Sequence, residues 1–263
     1  MTDQQAAVTQ LDRLAAQYAE RYGVDAVPAP IMALRERAPL TLSPLAAPAP
    51  PTNPPTSLTL GAARPSFTGT FRSMGQSNTY YCGPATARNI LVYRGGASRF
   101  NSSHSEPWQS TLATDSYLRT STNGSTRFAA GDMERGLNRW RSGNTTGFYV
   151  RLTKPTESQL GLALRSNIYA NEPFAVGAVE GSGSSHRYNG HPQTSYHIGH
   201  WITAYGYASS GSTGYYADPA WNMPNLVSSS NPWHGRNVEP RFTHSTSTFV
   251  SRYIQPLGNG IVW

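Results

Sequence analysis

The sequence predicts an α+β domain over residues 66–263, preceded by a shorter region of different composition. Three observations support this prediction. Helical patterns and strand patterns rich in β-branched and aromatic residues both occur after residue 66. A Pro-rich stretch marks the point where the domain begins. No stretch approaches about 18 consecutive apolar residues, so we expect no membrane-spanning helix.

Residues 1–65 have the composition of an appendage rather than of a core. A short amphipathic helix is predicted within residues 1–27, because apolar side chains recur there at helical spacing. These side chains are Leu11, Leu14, Ala15, Tyr18 and Tyr22. Residues 28–65 hold ten prolines, and because proline lacks an amide proton and fixes φ, we expect an extended, semi-rigid linker.

Three helices are predicted inside the domain, at about 83–93, 131–141 and 156–169. Pro84 suits the first turn of the first helix, and Gly95 with Gly96 suits its end. Thr156 and Gln159 form a capping-box pattern at the start of the third helix.

Strands are predicted at 147–152, 173–180, 200–207 and 214–218. The Ser, Thr and Asn content of residues 97–125 indicates a long loop, and residues 181–197 form a second loop. Residues 219–263 have no clear period, so we expect an irregular tail that wraps the body of the domain.

Composition and charge restrict the class of partner. Hydrophobic residues make up 38% and charged residues 13% of the chain, below the usual ~45–50% and ~25%, which favours an exported protein. The net charge of +7 lies in residues 65–263 as scattered arginines, which favours anionic surroundings such as cell-envelope polymers. No basic stripe interleaved with aromatic residues is present, so we expect no nucleic-acid partner. The first residues lack a basic segment followed by an apolar run, so we expect no ordinary signal peptide.

Cys82 is the sole cysteine, which excludes an internal disulfide and a cysteine-cluster metal site. It lies at the start of the first predicted helix, where the positive helix end favours the thiolate, the nucleophilic form of the side chain. Gly83 would let a substrate backbone approach closely. The alternative is that Cys82 is a small buried hydrophobic residue.

His200 and Asp218 are the candidate partners of this thiol. His200 opens an apolar strand and Asp218 ends the next one, and because a tight turn joins these strands, we expect the two residues to be neighbours. A carboxylate at that place would fix the imidazole tautomer and stabilise the charged ring. The alternatives are a strand-edge histidine and a turn-forming Asp-Pro pair.

Three further residues are candidates for contact with a substrate. Gln76 lies six residues before Cys82, where its amide could donate to an oxyanion beside the thiol. Tyr80 and Trp201 could form walls of a peptide-binding cleft, and core packing is the alternative for both.

Two alternatives concern the other histidines. His197 could face Cys82 in place of His200. We favour His200 because it begins the strand directly. His191, His197 and His200 could instead bind zinc as neutral imidazoles. No His-Glu-x-x-His helix is present, so we expect no metal and no cofactor.

The order of these residues and their local contexts resemble the papain-like bacteriocin-leader peptidases. The resemblance is closer to the stand-alone domains related to them, the family thirty-nine cysteine peptidases, and covers about residues 66–222. It rests on the segments Gln76…Tyr81-Cys82-Gly83-Pro84-Ala85, Gly199-His200-Trp201-Ile202 and Tyr216-Ala217-Asp218-Pro219.

The resemblance implies a papain-like fold, in which a helix bearing the nucleophile packs on an antiparallel sheet bearing His and Asp. It also implies roles: Cys82 as nucleophile, His200 as general base, Asp218 as orienting acid and Gln76 as oxyanion donor. The substrate would be a peptide or isopeptide bond in a peptide or protein. Two other functions stay open, a catalytically silent binding or delivery module and a cell-wall-lytic amidase or endopeptidase.

Overall fold

A computed structural model of the chain describes residue 71 and residues 73–93, 107–143, 145–169, 172–183 and 187–263. The amphipathic helix and the Pro-rich linker predicted for residues 1–65 lie outside the described residues. Within the described ranges, helices and one antiparallel sheet form a mixed α+β fold. None of the helices in these ranges is long and apolar enough to cross a membrane.

The α-helices of the described residues are α1 (Cys82–Tyr93), α2 (Gln109–Leu112), α3 (Thr120–Asn123), α4 (Asp132–Ser142), α5 (Glu157–Tyr169), α6 (Met223–Leu226) and α7 (Thr246–Phe249). Short 3₁₀ segments occur at Ser209–Gly211 and Pro219–Asn222, and a π-helical segment, Val250–Ile254, follows α7. The strands are β1 (Arg151–Thr153), β2 (Phe174–Glu180), β3 (Ile198–Ala208), β4 (Thr213–Ala217), β5 (Arg241–Ser245) and β6 (Gly260–Val262).

The six strands form one sheet in the order β1-β6-β2-β3-β4-β5, and each paired neighbour is antiparallel. The central strands β2 and β3 are almost fully buried, which agrees with their near-continuous apolar sequences. In the β2–β3 register Ala178 lies opposite His200 and Glu180 lies opposite Ile198. Because side chains alternate along a strand, His200 and Glu180 are on the same face of the sheet.

Helix α1 packs against β3 and β2 through a core that α4 completes. The apolar side chains of this core include Ile90 and Leu91 from α1, Leu137 and Trp140 from α4, and Trp201 from β3. Cys82 packs at its margin. The first residue of α1 is therefore held against the middle of the sheet, where β3 begins.

The three predicted helices and three of the four predicted strands match observed elements closely. The capping box is confirmed: Thr156 Oγ1 accepts from the Gln159 amide at 3.2 Å, and Gln159 Oε1 accepts from the Thr156 amide at 2.8 Å. The strand predicted at 147–152 is shorter and displaced, since only Arg151–Thr153 pairs with β6.

Two predictions of irregular structure were wrong. The loop predicted for residues 97–125 contains α2 and α3, each a single turn without a hydrophobic period. The tail predicted to be irregular contributes two strands to the sheet, β5 at one edge and β6 between β1 and β2. β6, with three residues, is too short to show an alternating pattern, so its partners define it.

Because β6 is closely packed within the sheet, a substitution at Gly260 should lower the stability of the protein. A β-carbon there would overlap the carbonyl oxygen of Leu152 and the ring of Phe128. Because the first of these atoms belongs to the backbone, Gly260→Ala should lower the free energy of unfolding by about 2–3 kcal/mol, the upper range for overpacking. Chemical denaturation of the full chain measures this effect.

Gly199→Ala is the matched control for this prediction. Gly199 is exposed in β3, and an added methyl group meets nothing within 4 Å. Its unfolding free energy should stay within about 0.5 kcal/mol of the unchanged protein, as for most surface substitutions. Equal stability of the two variants would contradict the packing described for β6.

Candidate active site

Helix α1 begins at Cys82 itself, and the Ala85 amide makes an early helical hydrogen bond to the Tyr81 carbonyl at 2.9 Å. The next residue, Gly83, is buried, and a β-carbon on it would overlap the side chain of Thr126. A glycine is thus required at this position for packing of the helix start against the segment that holds Thr126. The thiol projects from the N-terminus of a helix whose first turn packs against Thr126.

The Cys82 thiol hydrogen-bonds the side chain of His200. Burial alone would raise the pKa of this thiol, but the hydrogen bond and the charge of His200 lower it below its ordinary value. Hydrogen bonds from the backbone of Trp201 and Gly83 act in the same direction. Together, these interactions favour the thiolate, the form of cysteine that attacks carbonyl carbons.

His200 is buried at the start of β3 and links the thiol to Asp218. Its Nε2 atom lies 2.7 Å from Asp218 Oδ1, which leaves Nδ1 as the ring nitrogen for the sulfur. Burial alone would lower the pKa of His200, but the Asp218 carboxylate and then the Cys82 sulfur raise it to about 10. The raised pKa of His200 and the lowered pKa of Cys82 both favour the imidazolium–thiolate form of the pair.

Asp218 is fully buried and accepts four hydrogen bonds. Oδ1 accepts from His200 and from the Ala220 amide at 2.8 Å, and Oδ2 accepts from Asn189 Nδ2 and His191 Nε2, each at 2.8 Å. Burial alone would raise the pKa of this carboxyl, but His191 and His200 lower it well below its usual range. The carboxylate is thus permanently charged and has a fixed orientation.

A cavity of about 460 Å³ opens in front of Cys82 and His200. Its lining is Gln76, Thr79, Tyr80, Cys82, Gly124, Ser125, Tyr196, His197, Ile198, Gly199, His200, Ala220, Met223, Asn231 and Trp233. Tyr80 is in this lining, as a substrate-binding role requires. Cys82, His197 and His200 are the ionisable side chains in it besides the tyrosines.

The structure does not bring the other two predicted substrate-binding residues, Gly83 and Trp201, into this cavity. A β-carbon on Gly83 would overlap Thr126, so packing of the helix start accounts for the glycine there. Trp201 is buried in the core, and its Nε1 donates to the Thr126 carbonyl at 2.7 Å. Both residues pack against the segment that holds Thr126, and neither is part of the cavity lining.

Gln76 is buried and lines the same cavity as the thiol. Its backbone is held on both sides, since its amide donates to the Pro219 carbonyl and its carbonyl accepts from Asn222 Nδ2, each at 2.9 Å. The side-chain Nε2 donates to the Asn78 carbonyl at 2.8 Å and to Met223 Sδ at 3.0 Å. A thioether is a weak acceptor, so one amide hydrogen of Gln76 is available to a stronger acceptor in the cavity.

His197, the alternative partner of the thiol, is exposed, and its Nδ1 accepts from the Ser182 amide at 3.2 Å.

The atoms of His191, His200 and Asp218 that could bind a metal ion lie within 4.8 Å of one another. Direct hydrogen bonds of 2.7 and 2.8 Å already join both rings to this carboxylate. The atoms therefore contact each other at the place where a zinc ion would need ~2.0–2.1 Å to each ligand. The predicted zinc alternative named His197 together with His191 and His200, and His197 is not part of this cluster.

Sequence reasoning missed Glu180 and Asn189 behind Asp218, and it considered His191 only as a possible zinc ligand. Asn189 and His191 lie in the loop after β2, and Glu180 is the last residue of that strand. A glutamate at the end of the apolar strand PFAVGAVE is a recognisable signal, because a buried carboxylate needs charged or hydrogen-bonding partners. The loop residues carry no local pattern that identifies them.

A family model, the Peptidase C39 like family, matches residues 69–236 of the chain. This range contains α1, the strands β2 to β4 and every residue of the site described above. Neither the curated proteins nor the solved structures contain a match to the chain. Since the family model covers more than half of the sequence and the whole candidate site, the chain belongs to the Peptidase C39 like family.

Proposed function

We propose that the protein is a papain-like cysteine peptidase in which Cys82 is the nucleophile, His200 the acid and base, and Asp218 the residue that orients His200. One observation carries this proposal. A thiol at a helix N-terminus hydrogen-bonds an imidazole whose other nitrogen lies 2.7 Å from a buried carboxylate, and the pair opens into a cavity. Membership of a peptidase family supports a peptide or protein as the substrate.

In the first half of the reaction, the Cys82 sulfur attacks the carbonyl carbon of the scissile bond. A carbon–sulfur bond forms, and the carbonyl π electrons move to oxygen. His200 Nδ1 then transfers its proton to the leaving nitrogen, the carbon–nitrogen bond breaks, and the amine departs. The acyl group remains on Cys82 as a thioester.

In the second half, water replaces the amine. His200, now neutral, takes a proton from the water as its oxygen attacks the thioester carbon. The carbon–sulfur bond breaks, the carboxylic acid leaves, and the thiolate and imidazolium are restored. The Asp218 carboxylate stays ionised throughout and stabilises the imidazolium each time it forms.

The oxyanion of the tetrahedral intermediate would be held by the Cys82 backbone amide and by Gln76 Nε2. The side-chain amide of Gln76 already lines the cavity, and one of its hydrogens is on the weak acceptor Met223 Sδ. An oxyanion is a far stronger acceptor than a thioether, so the hydrogen bond should transfer to it as charge develops.

The cavity lining supports a substrate with uncharged side chains at the residues next to the scissile bond. Besides the catalytic pair and the tyrosines, His197 is the ionisable residue of the lining, and the other side chains there are neutral. Trp233 and Met223, both buried, add apolar surface. An acidic or basic side chain would therefore be desolvated there without an opposite charge.

The ion-pair mechanism predicts how the reactivity of Cys82 depends on its two candidate histidines. Because this is the sole cysteine of the chain, the rate of alkylation by iodoacetamide reports on it alone. His200→Ala should slow alkylation at pH 6 at least tenfold, since burial then acts on the thiol without an opposing imidazolium and one pKa unit changes the thiolate fraction tenfold. His197→Ala should leave the rate within about twofold.

The alkylation rate and the peptidase activity each have a predicted pH profile. Alkylation of the unchanged protein should stay fast at pH values below the ordinary thiol pKa of ~8.5. Peptidase activity should fall again as His200 loses its proton near pH 10, in line with its raised pKa. A slow, ordinary thiol profile in the unchanged protein would contradict the proposal and favour the silent binding module instead.

Gln76→Ala tests the oxyanion contact separately. This change should lower kcat for peptide hydrolysis about 10²–10³-fold, as the loss of one oxyanion donor does elsewhere. The alkylation profile of Cys82 should not move, because alkylation forms no oxyanion. A parallel loss of both properties would mean that Gln76 acts by supporting the fold.

A panel of fluorogenic peptides tests the neutral character of the substrate site. Paired peptides would differ by one side chain next to the scissile bond, with Leu or Ala replaced by Glu or Lys. The neutral members should have kcat/KM values at least tenfold higher, because the lining carries no carboxylate and no arginine or lysine to pair with a charge. Equal values within each pair would contradict this assignment.

A further inference from the structure

Behind Asp218, on the side away from Cys82, a second histidine is enclosed between two carboxylates. His191 Nε2 lies 2.8 Å from Asp218 Oδ2, and His191 Nδ1 lies 3.0 Å from Glu180 Oε2. The side chains of His191, Glu180 and Asp218 are all inaccessible to solvent. The peptide-cleaving steps do not use this histidine, and the sequence analysis considered it only as a possible zinc ligand.

The protonation state of His191 follows from its partners. An ionised carboxylate can only accept hydrogen bonds, and only the imidazolium form of histidine donates from both nitrogens. Asp218 is ionised because four donors surround it. Glu180 accepts from the Tyr188 amide at 2.9 Å and has Arg187 Nη1 at 3.8 Å, so its two oxygens face donors only. His191 is therefore a buried cation that donates to both.

The charges along this row alternate in sign. Starting from the end away from the cavity, they are Arg187 (positive), Glu180 (negative), His191 (positive), Asp218 (negative), His200 (positive) and Cys82 (negative). Each buried charge is thus next to a charge of opposite sign, which is the condition under which buried ions are tolerated. Loss of the middle cation would leave two buried carboxylates facing each other.

The His191 ring is also fixed in place by packing. Its centroid lies 4.6 Å from that of Tyr188 and 4.7 Å from that of Trp233. The His200 ring lies 5.3 Å away at 78°. Because the ring cannot rotate freely, its hydrogen bond fixes Oδ2 of Asp218 and leaves Oδ1 directed at His200.

We infer that His191 is a positioning residue: held between Glu180 and Asp218, it fixes the carboxylate that orients His200 and balances its charge, so that the Cys82–His200 ion pair forms. This inference rests on the proposed function. His191 itself does not touch the substrate. It acts through Asp218.

The direction of its effect follows from the charges that face it. These groups are Glu180 at the end of β2, His200 on β3, Asp218 after β4, Cys82 at the start of α1, and Arg187 and Tyr188 on its own loop. Without the His191 cation, the negative charges of Asp218 and Glu180 oppose formation of a further negative charge on Cys82. The thiol should then hold its proton to higher pH. The acid limb of its profile, the pH range in which the alkylation rate rises, should therefore move to higher pH.

Two variants test the inference in the full chain. His191→Gln removes the cation and keeps an amide that can donate to Asp218, and His191→Gln combined with Glu180→Gln removes both buried charges. The double variant leaves no unpaired carboxylate at position 180, so it should fold even if the single variant does not. His244→Gln, at a half-buried histidine on β5 whose ring packs on Phe249, is the matched control.

The measurement is the iodoacetamide alkylation rate of Cys82 between pH 4 and 9, with thermal melting to verify folding. His191→Gln should alkylate about tenfold more slowly than the unchanged protein at pH 6 and reach its rate at higher pH, and the double variant, which loses one charge of each sign, should be slowed less. In peptide hydrolysis kcat should fall at pH 6 with KM changed less than about twofold. The control variant should match the unchanged protein in both assays.

The outcomes separate this inference from the proposed function. Folded His191 variants with an unmoved acid limb would overturn the inference while the peptidase mechanism stands. If Cys82 of the unchanged protein showed no thiolate at low pH, the mechanism itself would be overturned. As an independent measurement, ¹⁵N NMR of the unchanged protein at pH 8 should show both His191 ring nitrogens protonated, assigned through contacts to the Trp233 ring. One unprotonated nitrogen would overturn the inference even if no variant folds.

Discussion

The hydrogen bonds to the Asp218 carboxylate hold the site together. Its four donors come from the start of β3, the loop before that strand and the 3₁₀ turn that follows β4. One buried side chain thus joins the loop after β2, the start of β3 and the 3₁₀ turn after β4. Because the carboxylate is fully buried, its charge needs all of these partners, and the geometry of the thiol–imidazole pair follows from their arrangement.

Much of this arrangement could be predicted from local sequence. Cys82 before Gly83-Pro84 indicates a helix start, and an apolar strand that opens with His200 and pairs through a short turn with the strand before Asp218 brings these two side chains together. Those signals are local: a helix cap, a strand period and a hairpin. The structure has the two residues at 2.7 Å, and the mixed helix and antiparallel sheet agree with the predicted class.

The remaining features depend on contacts between distant segments, and for that reason the sequence does not reveal them. β6 is three residues long and becomes a strand because β1 and β2 lie on either side of it. His191 lies in a Gly- and Ser-rich loop whose composition resembles that of any exposed connection, yet it is buried between two acids. Gly83 is a glycine because of Thr126, which is more than forty positions later in the chain. In each case the structural role depends on residues that are distant in sequence and close in space.

The place of β6 has a consequence for how the domain is made. β2 pairs with β3 directly after it in the chain, but its other neighbour is formed by residues 260–262. During synthesis, the hairpin that carries His200 and Asp218 leaves the ribosome before this last strand does. Until then β2 exposes an unpaired edge, which is a site for association with other chains. The nascent domain therefore passes through a stage in which chaperone binding to that edge would protect it from aggregation.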